Sequence, residues 1–390
     1  HEVGEYVIEF STTDKSKTSL LVDRLELRDE LGNTFKKGFK QAQYLISADE
    51  LAQLRKTKNM PLPGQEPKLD PGKRAERIGL FRKAWGEGYD KWNTPDRGKW
   101  PNLKDMEKEC LATGDPAKAL AGAQVLIQVA DWYPALDWSA QIIEGTVGNM
   151  NSRGVRFTFT NGRFGKIQYS MWEIGYPDGF ARLYDALFSF IVENADELTE
   201  MARVRVPWIK TKDDLIAFLD KRLLQYPGDC VNRTAIRSTQ GGSEGVMLPL
   251  IAVQGPNRAG ERLARWLYTR TYWDMTNDGG IQDQAITGRL RDGANNIGSI
   301  GYTEGAGQVL VNAAELMGRY IAAGGSKEFD LSDVRRFPAV LAGSFFPLES
   351  RVAGGYQPRI GDWGRAIDSR IYKTLGTTYA DCIRFAWKQT

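Results

Sequence analysis

The chain has 390 residues, 42% of them hydrophobic and 26% charged, the proportions of an ordinary globular protein able to bury one large core or two modest ones. A formal charge of +3 without long Lys/Arg runs excludes the electrostatic footprint of a nucleic-acid binder, and no apolar stretch approaches the ~20 residues that a membrane-spanning helix needs. Three widely spaced cysteines, Cys110, Cys230 and Cys382, argue against a zinc ribbon or a disulfide scaffold and leave room for one pair.

Residues 1–45 alternate apolar and polar positions at Tyr6, Ile8 and Phe10 and again around Leu21, Leu25 and Leu27, which predicts a short N-terminal β segment. Such a segment is too short to close a sheet of its own. No signal peptide is visible, and an opening on His1 is compatible with cleavage of a leader, which allows export; a secreted or periplasmic location is the expectation. Helical patterning begins at Ser47, where Glu50 three positions on completes a capping box ahead of Leu51 and Leu54. The stretch NMPLPGQEPKLDPGK then reads as a surface loop. Asp115-Pro116 supplies an N-cap and a first-turn proline, and Leu120, Ala123, Ile127 and Ala130 recur at helical spacing until Pro134.

Further helices are predicted over FARLYDALFSFIVENADEL, over DDLIAFLDKRLL behind Thr211, over MLPLIAVQG, over RAGERLARWLYTRTYW, and from just after Tyr302 to about Gly324-Gly325. No βαβ alternation is visible, which argues against a doubly wound sheet, and helical hairpins curling into a ring are the simplest way to bury so many amphipathic faces. The expected architecture is therefore mostly α, an (α/α) toroid over 46–350. The tail 351–390 either completes the toroid or leads to a β-module.

Polar residues gather in the loops. Residues 229–250, DCVNRTAIRSTQGGSEGVMLPL, pack Asn232, Arg233, Arg237, Gln240 and Glu244 around Gly241-Gly242 before an apolar helix. Amide and guanidinium donors at a helix entrance favour negative charge, so this is either a carboxylate-binding wall or a solvated loop. A second glycine-rich loop, NNIGSIGYTEGAG, carries Asn296 and delivers Tyr302. The only histidine is His1, so no internal imidazole serves acid–base work, and a phenol with an ordinary pKa of about 10 becomes a base only beside cations or donors. Its other role is packing. Trp132 and Tyr133, Trp172 and Tyr176, and Tyr268, Tyr272 and Trp273 lie near these loops, either as faces for stacking sugar rings or as core. A third polar group, Tyr356, Arg359, Asp362 and Arg365, follows the helices. Neither a phosphate-binding GxxxxGK[ST] loop nor a zinc-binding HExxH pair occurs.

Taken in order, four stretches resemble the heparinase II/III-like polysaccharide lyases. GKIQYSMWEIGYPDGFARLYDALF is similar to the family's helix pair, and RSTQGGSEGVMLPLIAVQG to the segment with the neutralising amide. DGGIQDQ followed by NNIGSIGYTEGAGQVLVNAAEL is similar to the approach to the catalytic tyrosine, and GGYQPRIGDWG to the stretch after the toroid. The resemblance spans roughly residues 115 to 365. It implies an (α/α) toroid with an attached β-sandwich and β-elimination on a uronic-acid polysaccharide; no metal and no cofactor is expected. In that chemistry an amide, arginine or histidine neutralises the C5 carboxylate, and a tyrosine removes the C5 proton and protonates the leaving oxygen. Carried over by position, Tyr302 is base and acid, Gln240 is the neutraliser, and Arg237 and Asn232 assist. Arg359, Tyr356, Trp172, Asn296, Trp132 and Glu244 are expected to line the substrate cleft. Two other readings stay open: a non-catalytic toroid that binds acidic glycans, and an α/α-barrel glycoside hydrolase using two carboxylates from among Glu144, Glu173, Asp178, Glu244, Asp283 and Glu304.

Overall fold

The computed structural model describes residues 45–92, 102–135, 175–232, 249–255, 258–269, 300–349 and 387–388. These residues are mostly helical, and no strand occurs among them. The predicted β segment over 1–45, but for Leu45, and most of the 351–390 tail lie outside the described residues.

Local sequence explains most of the helix boundaries. Helix α1, Ala48–Thr57, starts on the expected capping box, with the Ser47 hydroxyl accepting from the Glu50 N–H at 3.2 Å and the Glu50 carboxylate accepting from the Ser47 N–H at 2.7 Å. After a 3₁₀ turn at Pro71–Lys73 comes α2, Arg74–Trp92. Helix α3, Leu103–Thr113, is capped by Asn102 and ends at Gly114, whose φ of 62° lies in the left-handed region where a side chain is strained. Asp115 caps α4, Pro116–Ala135, by accepting from the Ala117 N–H at 2.8 Å. The predicted FARLYDALFSFIVENADEL helix is two helices, α5 Gly175–Glu193 and α6 Ala195–Ala202.

Helix α7, Lys212–Leu219, begins with a reciprocal Thr211–Asp214 capping box. It runs into a π-helical turn, Asp220–Gln225, and then α8, Tyr226–Asn232. A helical stretch over 249–254 (α9) precedes α10, Arg258–Thr269, α11, Ile300–Ala322, and α12, Pro338–Glu349.

Side-chain contacts fix the directions in which these helices pack. Leu103 of α3 lies against Gly179 of α5, and Lys104 pairs with Asp178, so the start of α3 meets the start of α5. Helix α4 runs the opposite way along α5. Its Gly122 packs against Leu183 and Leu187, while its distal Tyr133 meets Phe180 edge-on at 5.0 Å between ring centres. Up–down packing of this kind buries one continuous apolar cluster drawn from α2 to α12. In α11 the buried residues Leu310, Ala313, Ala314, Met317 and Tyr320 recur at three- and four-residue intervals, and α12 packs across them.

Charged side chains tie the ends together. The Arg77 guanidinium donates from Nε and Nη2 to the two Glu197 carboxylate oxygens, both at 2.7 Å, which locks α2 to α6 in a two-pronged pair.

Candidate functional site

Three of the ten predicted site residues fall among the described residues. Tyr302 lies in the first turn of α11, not in a loop before it: the helix starts at Ile300 and takes in Gly301, Gly305 and Gly307. The downstream apolar face, buried from Leu310 onward, sustains helix through glycines that would weaken it in isolation. Asn232 is the last residue of α8. Trp132 corrects an expectation, because it is only 1% exposed and belongs to the core cluster. Helix α4 continues past it to Ala135, so the indole turns into the packed interior and offers no face to a sugar. Gln240, Arg237, Arg359, Tyr356, Trp172, Asn296 and Glu244 lie outside the described residues.

Of the carboxylates considered for a hydrolase, Glu304 lies in the second turn of α11 and Asp178 in the first turn of α5. Asp178 is buried and gripped at both oxygens, by the Lys104 ammonium at 2.6 Å and by Arg182 Nε at 2.6 Å. That arrangement joins α3 to α5 and leaves Asp178 no free edge for substrate. Cys110 carries a free, buried thiol, pushed up to about 11 chiefly by burial, and Cys230 is also buried. A thiol of that kind stays protonated and unreactive.

A cleft of about 400 Å³ opens where α1, α3, α5 and α11 meet, lined by Leu54, Glu50, Glu107, Arg182, Asp185 and Arg319 among others. Sequence reading missed this group because its members come from four distant segments. One local signal was present: Asp178, Arg182 and Asp185 follow one another at four- and three-residue spacing, which puts them on one helical face. Asp185 is 1% exposed and accepts from the Leu45 N–H at 3.1 Å, anchoring the chain that enters α1. Arg319 reaches across from α11 to the Glu50 carboxylate at 3.1 Å and to Glu315 at 3.1 Å. Hydrogen bonds from Ser47 and Arg319 hold Glu50 down to about 2, so its carboxylate stays ionised and paired with Arg319.

Glu107 behaves in the opposite sense. Burial raises its carboxyl above the usual range, and the Asp178 and Asp185 carboxylates add to the effect while Arg182 and Lys104 oppose it. The native state therefore holds this proton more tightly than the unfolded chain. The stability linked to it is fully present below the unfolded value of about 4.3 and is lost as pH rises through the higher native value. Glu107→Gln, which keeps the shape without the charge, is expected to raise the melting temperature at pH 7, the gain fading to nothing below about pH 4. Thermal unfolding across that range checks it, and a gain independent of pH would contradict the burial of the charge.

Cleft and tyrosine are separate places. From Tyr302 to Arg319, α11 rises about 25 Å, at about 1.5 Å per residue. The first turn of α11 is the positive end of its dipole, where backbone N–H groups have no partner within the helix and an anion is favoured. Among the described residues no group of three or more His, Cys, Asp or Glu side chains is arranged to hold a metal, and no helix is long and apolar enough to cross a membrane. No family model, no curated protein and no solved structure matches the chain.

Proposed function

We propose that the protein is a polysaccharide lyase that cleaves an anionic, uronic-acid-containing polysaccharide by β-elimination, on an (α/α) toroid and outside the cytoplasm. The observation that carries this reading is the place of Tyr302, in the first turn of a 23-residue helix and directly behind a polar, glycine-rich run that contains Asn296. A phenolate formed there gains from the helix dipole, which is what a tyrosine needs to act as a base in a chain whose only histidine is His1. The ordered resemblance of four segments to heparinase II/III-like lyases supports the same chemistry.

The proposed sequence of events is short. Gln240, assisted by Arg237 and Asn232, neutralises the C5 carboxylate and lowers the cost of the carbanion that forms beside it. The Tyr302 oxygen takes the C5 proton. The electron pair left at C5 forms the C4–C5 double bond as the C4–O bond breaks, and the same phenol returns a proton to the leaving oxygen.

One observation favours a second reading. The raised Glu107 beside the Asp185 carboxylate in a shared cleft is the environment of a general acid, which suits an α/α-barrel glycoside hydrolase. Product chemistry separates the two, because elimination leaves an unsaturated uronide and hydrolysis leaves a saturated sugar at both new ends. A glycan-binding toroid without activity leaves neither.

A further inference from the structure

The loop between α6 and α7, residues 203–211, reads RVRVPWIKT and presents a tryptophan to solvent. Trp208 is 54% exposed and Val204 41%, with Pro207 exposed between them, whereas Val206 and Ile209 are buried. The two buried residues peg the loop into the core. Turn bonds from the Val206 N–H to the Ala202 carbonyl at 3.0 Å and from the Ile209 N–H to the Val206 carbonyl at 3.1 Å hold its course. Arg203 folds back over it, its Nε donating to the Ile209 carbonyl at 2.9 Å and its Nη2 to the Lys210 carbonyl. Trp208 meets Phe218 of α7 edge-to-face at 5.8 Å between ring centres. An indole that lies on the surface in this way, with about half its area in water, keeps one broad face bare.

Cations predominate around that ring. Arg203, Arg205, Lys210 and Lys212 are all exposed. Arg205 is spent on Asp131 of α4 at 2.7 Å, but Arg203, Lys210 and Lys212 form no ion pair among the described residues. The acids bordering the loop are engaged: Glu200 pairs with Arg74 at 3.2 Å, and Asp214 accepts from the Lys210 and Thr211 N–H groups at 3.0 and 2.9 Å as it caps α7. One further acid, Asp213, lies in the first turn of α7. A bare apolar face on a braced loop, rimmed by cations without carboxylate partners, is the surface of a site for an anionic ligand with an apolar face of its own.

We propose that the α6–α7 loop is a surface site for an anionic polysaccharide, with the bare face of Trp208 stacking on a sugar ring and Lys210 and Lys212 meeting its carboxylates. The loop belongs to a different segment from the helix that carries Tyr302, so it is a second point of attachment for the polymer. Binding here does not depend on the lyase reading; only the statement that the bound glycan is also the substrate rests on it. A lipid surface also attracts aromatic and basic residues together, but an anchor of that kind projects its ring to insert, whereas Trp208 lies down against Phe218.

Native electrophoresis in gels containing alginate, polygalacturonate or hyaluronate, with dextran as the neutral control, tests the proposal. The full chain is expected to be retarded by at least one of the three acidic polymers and not by dextran, and the retardation to fade as salt passes about 0.3 M, where exposed charges are screened. Trp208→Ala is expected to weaken the apparent affinity about tenfold, and the double variant Lys210→Gln, Lys212→Gln about fivefold. If Trp208→Ala does not fold, the double variant, which changes only exposed side chains, carries the measurement. Retardation absent with all three acidic polymers, equal with dextran, or unchanged in the variants overturns the proposal, as does binding confined to phosphatidylserine vesicles. Turnover separates it from the lyase reading. A chain retarded through Trp208 that cleaves no acidic glycan sinks the lyase reading and leaves this site standing, whereas cleavage with a retardation indifferent to Trp208 and the two lysines does the reverse.

Discussion

Tyr302→Phe is expected to remove nearly all turnover, a loss on the order of the 10²–10⁴-fold that a general acid–base group supplies. The substitution deletes one oxygen and leaves the ring, so the first turn of α11 and the affinity for substrate are expected to survive. No imidazole can substitute, because the only histidine is His1. In the proposed mechanism Gln240→Ala is expected to affect the other half of the same event, leaving charge that develops at the carboxylate less well met, at a cost of about 3 kcal/mol by analogy with other oxyanion donors. Both changes raise one transition state, so the double variant is expected to be far less impaired than the product of the two losses implies. Steady-state rates of the three variants on one cleaved glycan check this, and wild-type turnover by Tyr302→Phe would move the role to another tyrosine, Tyr356 first.

Arg55→Met is expected to cost about 3 kcal/mol of folding stability, the largest effect anticipated for a residue remote from Tyr302. Arg55 is 5% exposed yet charged, and everything around it depends on that charge. Its Nε donates to the Leu111 carbonyl at 2.9 Å, and its Nη1 donates to the Pro61 carbonyl at 3.3 Å and pairs with the Glu66 carboxylate. One side chain thereby joins α1, the 58–70 loop and the end of α3. Methionine fills most of the volume but strands two carbonyls and a carboxylate. Glu66 keeps roughly a third of its side chain in water (32%), which holds the figure at the lower end of the range for buried pairs. Arg55→Lys is expected to fall between, since an ammonium cannot fork to three acceptors. Denaturant unfolding measures all three proteins, and a loss under about 0.5 kcal/mol for Arg55→Met would show the network to be dispensable.

The fold was legible wherever boundary chemistry is local. Ser47 with Glu50, Asp115 with Pro116, and Thr211 each begin a helix in the sequence and in the structure. Asn102 and Gly114 bracket α3 just as clearly, although its run LKDMEKECLAT shows only a weak apolar stripe. Where tertiary packing overrides local preference, sequence pattern and structure part. The glycines around Tyr302 argue for a loop, but the buried face from Leu310 onward extends the helix through them. The aromatic run at Trp132 and Tyr133 argues for a cleft rim, but α4 carries both rings into the core. The cleft joining Glu50, Glu107, Arg182, Asp185 and Arg319 was out of reach, because no periodicity brings residues 50 and 319 together.

The central claim concerns the bond-breaking chemistry, and the product reports on it directly. Incubating the full chain with a panel of uronic-acid polysaccharides and following ultraviolet absorbance detects the double bond conjugated to the carboxylate at each new non-reducing end. β-Elimination predicts that absorbance rises in step with new reducing ends on at least one acidic glycan, and that Tyr302→Phe abolishes both. New reducing ends that appear without any gain in absorbance would mean hydrolysis and would contradict it.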